Sequence, residues 1–110
     1  MTATTPLLRV VVLVSGRGSN LKAISARADA GELPVRIEAV VSDRVDAGAL
    51  DWARARGIAT SVLSPRDFPD REAYGRALGD IVESHAPQLV VLAGFMRILS
   101  DEFVLRFSGR

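Results

Sequence analysis

Short apolar runs alternate along this chain with longer amphipathic stretches, and this alternation constrains the fold more than any other feature. The runs cover residues 10–14, 35–42, 58–63 and 88–93. The first and the last are continuously apolar, which is typical of strands buried on both faces of a parallel sheet. Alternating strands and helices of this kind predict an α/β fold: a doubly wound, mostly parallel sheet with right-handed crossovers, in three α/β/α layers.

The amphipathic stretches predict four helices, over residues 20–30, residues 46–56, the segment between Asp70 and Pro87, and the segment from Ser100 or Asp101 onward. We expect Asp46 and Asp70 to cap the second and third helices. The third pattern is the clearest, because one apolar stripe at helical spacing runs through Tyr74, Ala77, Leu78, Ile81, Val82 and His85. On the second helix, Trp52 is expected to point away from the sheet.

Composition excludes several kinds of site. The 110 residues contain no cysteine and one histidine, which excludes disulfides, thiolate or multi-histidine metal sites and cysteine nucleophiles. Fourteen basic and 13 acidic residues are interspersed, so no basic stripe indicates nucleic-acid binding. No apolar run approaches the ~18 residues of a membrane span, and the N-terminus lacks the features of a signal peptide. We therefore expect a cytoplasmic protein of one domain, residues 1–110, with a loose leader over residues 1–7 and with no metal, nucleic-acid or membrane partner.

The predicted sheet also indicates where a ligand would bind. Ligands of open parallel sheets bind at the carboxyl ends of the strands, where the strand order reverses. For the strand order 3-2-1-4, the crevice lies between the first and fourth strands. Its two sides are then the loops 16–20 and 94–99.

The first loop, Ser-Gly-Arg-Gly-Ser-Asn over residues 15–20, joins a buried strand to the start of a helix. Gly16 and Gly18 allow a tight turn and close approach of a ligand. The free N–H groups of the first helical turn suit a phosphate or carboxylate. A plain tight turn capped by Ser or Asn is the alternative, and this loop alone does not distinguish the two.

A dinucleotide site and a P-loop both fit this first loop poorly. Leu21 stands where the dinucleotide fingerprint needs a third glycine, and no Gly-Lys-Ser/Thr is present. The favoured ligand is a small phosphorylated metabolite. Asp43, just after the second strand, leaves a ribose-binding dinucleotide site open, but we interpret it as an ordinary loop acid.

The second loop, Leu-Ala-Gly-Phe-Met-Arg-Ile-Leu over residues 92–99, is unusually apolar. Its residues Phe95, Met96, Ile98 and Leu99 are expected at the mouth of the crevice. They could close over the core or line a slot for a flat aromatic cofactor. The residues alone leave both interpretations open.

Together, the segments 14–21 and 92–99 closely resemble the phosphoribosylglycinamide formyltransferases of purine biosynthesis. Residues 41–44, 57–60 and 71–74 share this resemblance, which extends from about residue 8 to residue 110 and covers the N-terminal half of such an enzyme. The resemblance implies the Rossmann-like formyltransferase fold, truncated after the fourth strand and its helix. It also implies transfer of a formyl group from the co-substrate 10-formyltetrahydrofolate to the amine of 5-phosphoribosylglycinamide, without a metal.

The resemblance implies roles for individual residues as well. Gly18, Ser19 and Asn20 would hold the acceptor's phosphate. The folate would be bound by Arg71 and, largely through main-chain groups on its pteridine ring, by Met96, Arg97, Ile98 and Leu99. The family's catalytic Asn, His and Asp would follow residue 110, so no catalytic residue is expected in this chain, and His85 is assigned to packing.

Two partner predictions and two alternative functions complete this interpretation. An unprotected fourth strand predicts self-association or docking with the missing C-terminal half, and the chain alone is expected to be inactive. The first alternative is a non-catalytic module that binds a phosphate ligand such as a nucleotide or sugar phosphate. The second is the nucleotide-binding domain of a dehydrogenase, which Leu21 disfavours.

Overall fold

A parallel four-stranded sheet with the strand order β3-β2-β1-β4 forms the centre of the molecule. The computed structural model describes residues 7–97 and 99–110, so of the predicted leader only Leu7 is described. The strands are β1 (Leu8–Val14), β2 (Val35–Ser42), β3 (Ala59–Val62) and β4 (Leu89–Leu92). The helices are α1 (Ser19–Asp29), α2 (Gly48–Ala55), α3 (Arg71–Glu83) and α4 (Asp101–Arg106), with a short 3-10 turn at Pro65–Asp67. The predicted strand order is confirmed.

The central strand β1 separates two apolar layers, because successive side chains of a strand point to opposite faces. On one face, Val10, Val12 and Val14 belong to a buried cluster with Leu21 of α1 and Leu50 of α2. On the other face, a second cluster joins β1 to α3 and α4 through Val11, Leu13, Leu78, Val82, Phe103 and Phe107. The structure therefore has the predicted three layers, with α1 and α2 on one side and α3 and α4 on the other.

Helix α3 begins at its predicted side-chain cap, and α4 is capped by Ser100, one of its two predicted starting residues. Asp70 Oδ1 accepts a hydrogen bond from the Ala73 N–H at 2.7 Å, and Ser100 Oγ accepts one from the Phe103 N–H at 3.1 Å. The predicted cap at Asp46 is wrong, because α2 begins at Gly48 without a side-chain cap. Asp46 pairs with Arg44 at 3.2 Å instead, and that hydrogen bond lowers the pKa of the Asp46 carboxyl.

The expected orientation of Trp52 is also wrong. Its indole ring is half-buried and packs against the cluster formed by β1, α1 and α2. The Arg56 guanidinium lies 4.8 Å from the ring centroid and covers it from outside. Because the indole ring is large, it can bury one of its faces against the core even though its Cα–Cβ bond is directed partly away from the sheet. His85 follows the end of α3 and is half-buried.

Strand β4 is a partly covered edge. Among the described strands it pairs with β1 alone, and its side chains are half-buried to exposed rather than fully buried as expected. The Val90 N–H donates to the Arg110 carbonyl, so the last residue covers part of this edge. The Arg110 guanidinium pairs with Glu83 at 2.6 Å, and this hydrogen bond lowers the pKa of Glu83 and raises that of Arg110. Within the described ranges, no helix has the length and apolarity needed to cross a membrane.

Candidate functional site

A pocket of about 300 Å³ opens at the carboxyl ends of β1 and β4, where the strand order reverses. We call it the crevice pocket. Both loops that were predicted to flank this crevice contribute to it. Its lining comprises Ser15, Gly16, Arg17, Gly18, Ser19, Asn20, Arg44, Ala93, Gly94 and Met96.

The N-terminus of α1 faces this pocket without a side-chain cap. Gly18 is the N-cap residue and adopts a left-handed conformation with φ of 81°. Ser19 and Asn20 are exposed residues of the first turn, and neither caps the helix, so the alternative of a Ser- or Asn-capped turn is wrong. The first N–H groups of a helix have no partner within it. With no acidic residue in its first turn, α1 presents an uncompensated positive dipole end to the crevice.

Packing explains why residue 18 is glycine. A Cβ atom there would lie 2.7 Å from Ala49 Cβ, which is closer than such atoms approach in proteins. The Ala49 N–H also donates to the Gly16 carbonyl at 3.2 Å, so α2 is packed directly against the loop. At Gly16, by contrast, an added Cβ would meet open space.

A hydrogen bond joins the two loops of the crevice. The Met96 N–H donates to Ser15 Oγ at 2.8 Å, and Ser15 is 6% exposed at the end of β1. The sequence interpretation missed this role of Ser15, although its position directly after a buried strand was visible. Because its N–H is already used, Met96 can offer a ligand only its carbonyl group and its side chain, which is 77% exposed.

The side chains of the apolar loop after β4 differ in their exposure. Phe95 and Leu99 are half-buried and pack against the cluster formed with α3 and α4, so the expectation that they lie exposed at the crevice mouth is wrong. Their side chains complete the core above α3. Ile98 lies outside the described residues. Some side chains of this loop therefore close the core while Met96 borders the pocket, and the slot for a flat aromatic cofactor stays a prediction.

A second pocket, of about 480 Å³, lies between the start of α3 and this loop, and we call it the α3 pocket. It brings together Arg71, Met96 and Arg97, three of the residues that the resemblance assigns to the folate. Phe68 and Tyr74 form an apolar wall, with an edge-to-face contact at 5.6 Å between ring centroids. The sequence interpretation missed both aromatic rings as pocket residues.

Tyr74 in this wall is neutral at physiological pH. Its hydroxyl donates to the Leu63 carbonyl at 2.9 Å. Burial, together with the negative charge of Asp43, raises the pKa of Tyr74 to about 12. The ring therefore serves as an apolar surface and hydrogen-bond donor rather than as a base.

Asp43 lies in the loop just after β2, as predicted, but it is buried rather than an ordinary exposed acid. Its side chain is 1% exposed, and Oδ2 accepts a hydrogen bond from Arg97 Nε at 2.6 Å. Oδ1 is buried and has no partner in the described part of the chain. Asp43 and Arg97 border a third pocket, the arginine pocket, of about 460 Å³, which is also lined by Arg44 and Arg66.

The structure does not support a dehydrogenase nucleotide site. Leu21, at the position of the missing third glycine, is fully buried in the core beneath the loop. The Asp43 carboxylate, which would have to bind a ribose, is buried and paired with Arg97 through Oδ2. The described residues also contain no group of three His, Asp or Glu side chains that could hold a metal ion.

Several known proteins are similar to this chain in sequence and in structure. The phosphoribosylglycinamide formyltransferase of Escherichia coli (strain K12) is 47% identical over 103 residues, which are 94% of this chain and 49% of that protein. The solved structure of the enzyme of that name from Coxiella burnetii is 42% identical with a TM-score of 0.90, over 96% of this chain and 49% of the other. Glycinamide ribonucleotide transformylase 1 from Symbiobacterium toebii is 36% identical with a TM-score of 0.89, over 94% and 49%.

The present chain thus spans about half the length of the relatives it matches. The sequence profile described as formyl transferase matches residues 8–110, which is nearly all of it. The chain therefore belongs to the formyl transferase family.

Proposed function

We propose that this chain forms the acceptor-phosphate site and part of the folate site of a phosphoribosylglycinamide formyltransferase. The enzyme would transfer a formyl group from 10-formyltetrahydrofolate to the amine of 5-phosphoribosylglycinamide in purine biosynthesis. The observation that carries the proposal is the uncapped N-terminus of α1 at the crevice, in a chain 47% identical to a protein of that name. Its site residues are those that the resemblance implied.

The phosphate of the acceptor would bind at the crevice pocket. Gly18, Ser19 and Asn20 line it and belong to the uncapped start of α1, whose N–H groups suit an anion. Arg44 also lines the pocket, with its guanidinium paired to Asp46. Gly16 leaves open space beside the loop, which allows a phosphate to approach the main chain.

The formyl donor would bind along the α3 pocket and the loop 96–99. The apolar wall of Phe68 and Tyr74 suits a flat aromatic ring. Arg71 and Arg97 line the same pocket and suit the negative charge of a folate. Met96 would contact the folate through its carbonyl group and its side chain, because its N–H is bonded to Ser15. Leu99 would contribute main-chain groups, since its side chain packs on the core.

The proposed reaction replaces one carbon–nitrogen bond with another. The acceptor amine attacks the formyl carbon, the bond from that carbon to the folate nitrogen breaks, and the proton lost by the amine is transferred to the departing nitrogen. Such a step needs groups that stabilise the oxyanion and move the proton. We propose that the family's Asn, His and Asp, which the resemblance places after residue 110, supply them.

Titration of the isotope-labelled chain with 5-phosphoribosylglycinamide tests the acceptor site by NMR. The amide signals of Gly18, Ser19 and Asn20 should shift, because their N–H groups would take up the phosphate. The unphosphorylated ribosylglycinamide is the matched control and should leave these signals in place. Absence of any shift at millimolar ligand would contradict the proposed phosphate site.

The second half of the enzyme is the proposed partner, and β4 is the edge on which it would dock. Leu92, Val104 and Leu105 are exposed apolar residues on β4 and α4. We therefore expect the purified chain to self-associate at micromolar concentration and to show no formyl transfer. Mixing it with a separately produced C-terminal half of the Escherichia coli relative should give turnover and a defined complex in light scattering.

Two results would contradict this partner proposal. Turnover by the isolated chain would show that the catalytic groups lie within it. A monomer that binds phosphate, ignores 10-formyltetrahydrofolate and gains no activity from the C-terminal half would favour the alternative of a non-catalytic phosphate-binding module.

A further inference from the structure

We infer that Asp43 is a positioning residue that holds the loop 94–99 in place through Arg97. It lies just after β2 and would act on the formyl donor only through the loop. The consequence for the donor rests on the proposed function, whereas the effect on the loop does not.

The charge of Asp43 is compensated by a single residue of that loop. Its side chain is 1% exposed, and Arg97 Nε, at 2.6 Å, is its one side-chain partner within residues 7–97 and 99–110. Neighbouring Arg44 does not share this role, because its guanidinium pairs with the exposed Asp46. A buried carboxylate without a partner is strongly disfavoured. Moving Arg97 away would leave the buried Asp43 carboxylate without its partner, and this cost holds Arg97 where it is.

Consecutive residues of the loop are attached to neighbouring strands. Met96 is held by Ser15 at the end of β1, and Arg97 is held by Asp43 just after the end of β2. The loop begins at Gly94, whose φ of 76° is a conformation that favours glycine, so the start of the loop restrains it little. Two attachments in different directions fix both the position and the orientation of the main chain at residues 96 and 97. Loss of Asp43 would leave one of these two polar attachments, beside the packing of Phe95 and Leu99 on the core.

The attachment also fixes a cation between two pockets. Arg97 borders both the arginine pocket and the α3 pocket, and its side chain remains 48% exposed. In the described part of the chain only its Nε atom has a hydrogen-bond partner. Asp43 therefore sets where this guanidinium lies and leaves its two Nη groups available on the pocket side.

The test compares Asp43→Asn with Asp46→Asn, which removes an exposed acid from the same arginine pocket. Asp43→Asn should raise amide hydrogen exchange at Met96, whose N–H is bonded to Ser15, by about tenfold, the effect of losing one loop attachment. It should weaken 10-formyltetrahydrofolate binding by about tenfold. The phosphate affinity, followed by the amide signal of Ser19, should change by less than about twofold. Asp46→Asn should leave both the loop exchange and 10-formyltetrahydrofolate binding unchanged. Unchanged exchange in Asp43→Asn would overturn the inference.

The design remains decisive if Asp43→Asn does not fold. The double variant Asp43→Asn/Arg97→Met removes both charges, and replacing a buried ion pair by neutral residues often preserves folding. The double variant should fold and retain phosphate binding, but the amide hydrogens of its loop 94–99 should exchange rapidly. Equal protection of the loop in the double variant and the wild type would overturn the inference. A wild-type chain that does not bind the folate, combined with the expected loop exchange, would refute the proposed donor site and support the role of Asp43.

Discussion

Replacing Gly18 by alanine is expected to lower the free energy of unfolding by about 2–5 kcal/mol and to abolish phosphate binding at the crevice. A left-handed residue with a side chain costs about 1–2 kcal/mol, and overpacking adds about 1–3 kcal/mol. Both costs arise here, since φ is 81° and the new Cβ would lie 2.7 Å from Ala49 Cβ. Thermal unfolding should shift down by about 10–20 °C, and phosphate should no longer move the Ser19 amide signal.

Gly16→Ala is the matched control in the same loop. Its Cβ meets open space and its φ is not positive, so the melting temperature should stay close to that of the wild type. Ala49→Gly in the Gly18→Ala background removes the nearest atom and should recover the overpacking part of the loss but not the conformational part. A Gly18→Ala variant that melts and binds phosphate like the wild type would refute the proposed geometry of this loop.

Strand positions could be predicted because burial leaves a direct mark on the sequence. The predicted bounds of β2, residues 35–42, are those of the structure. The start of α2 could not be predicted in the same way. Asp46 has the right side chain for a cap, but the packing of Ala49 on the Gly16 carbonyl determines where this helix begins. The preference of an aspartate for the N-cap position is weaker than the contact between α2 and the loop 16–20.

The candidate site shows the same limit. The two crevice loops could be predicted, since glycine spacing and apolar character are visible within a few residues. The burial of Asp43 could not, because its partner Arg97 is 54 positions away along the chain. An acid directly after a buried strand was the available signal, and at the carboxyl edge of a parallel sheet such a residue is a candidate for a buried role.

Replacing Gly75 of α3 by alanine is the second change with a large expected effect. Its new Cβ would collide with Ser100 Oγ and lie 3.2 Å from Ser100 Cβ, where α3 and α4 approach each other. Ser100 caps α4, so the collision combines overpacking of about 1–3 kcal/mol with loss of a cap of about 0.5–2 kcal/mol. We expect the free energy of unfolding, measured by urea denaturation, to fall by about 1.5–5 kcal/mol.

Gly48→Ala, in another helix, is the control, since its Cβ would make an ordinary contact of 3.7 Å with Arg17 Cα. Its stability should remain within about 0.5 kcal/mol of the wild type. Gly75→Ala/Ser100→Gly should recover most of the loss, because glycine removes the colliding atoms and remains an acceptable cap. Equal stability of Gly75→Ala and the wild type would contradict the observed spacing of α3 and α4. Gly75→Ala should also weaken folate binding more than phosphate binding. The reason is that Ser100 directly follows the loop 94–99, whereas the phosphate loop follows β1. A larger loss of folate affinity than of phosphate affinity would show that the two ligands bind at different parts of the proposed site.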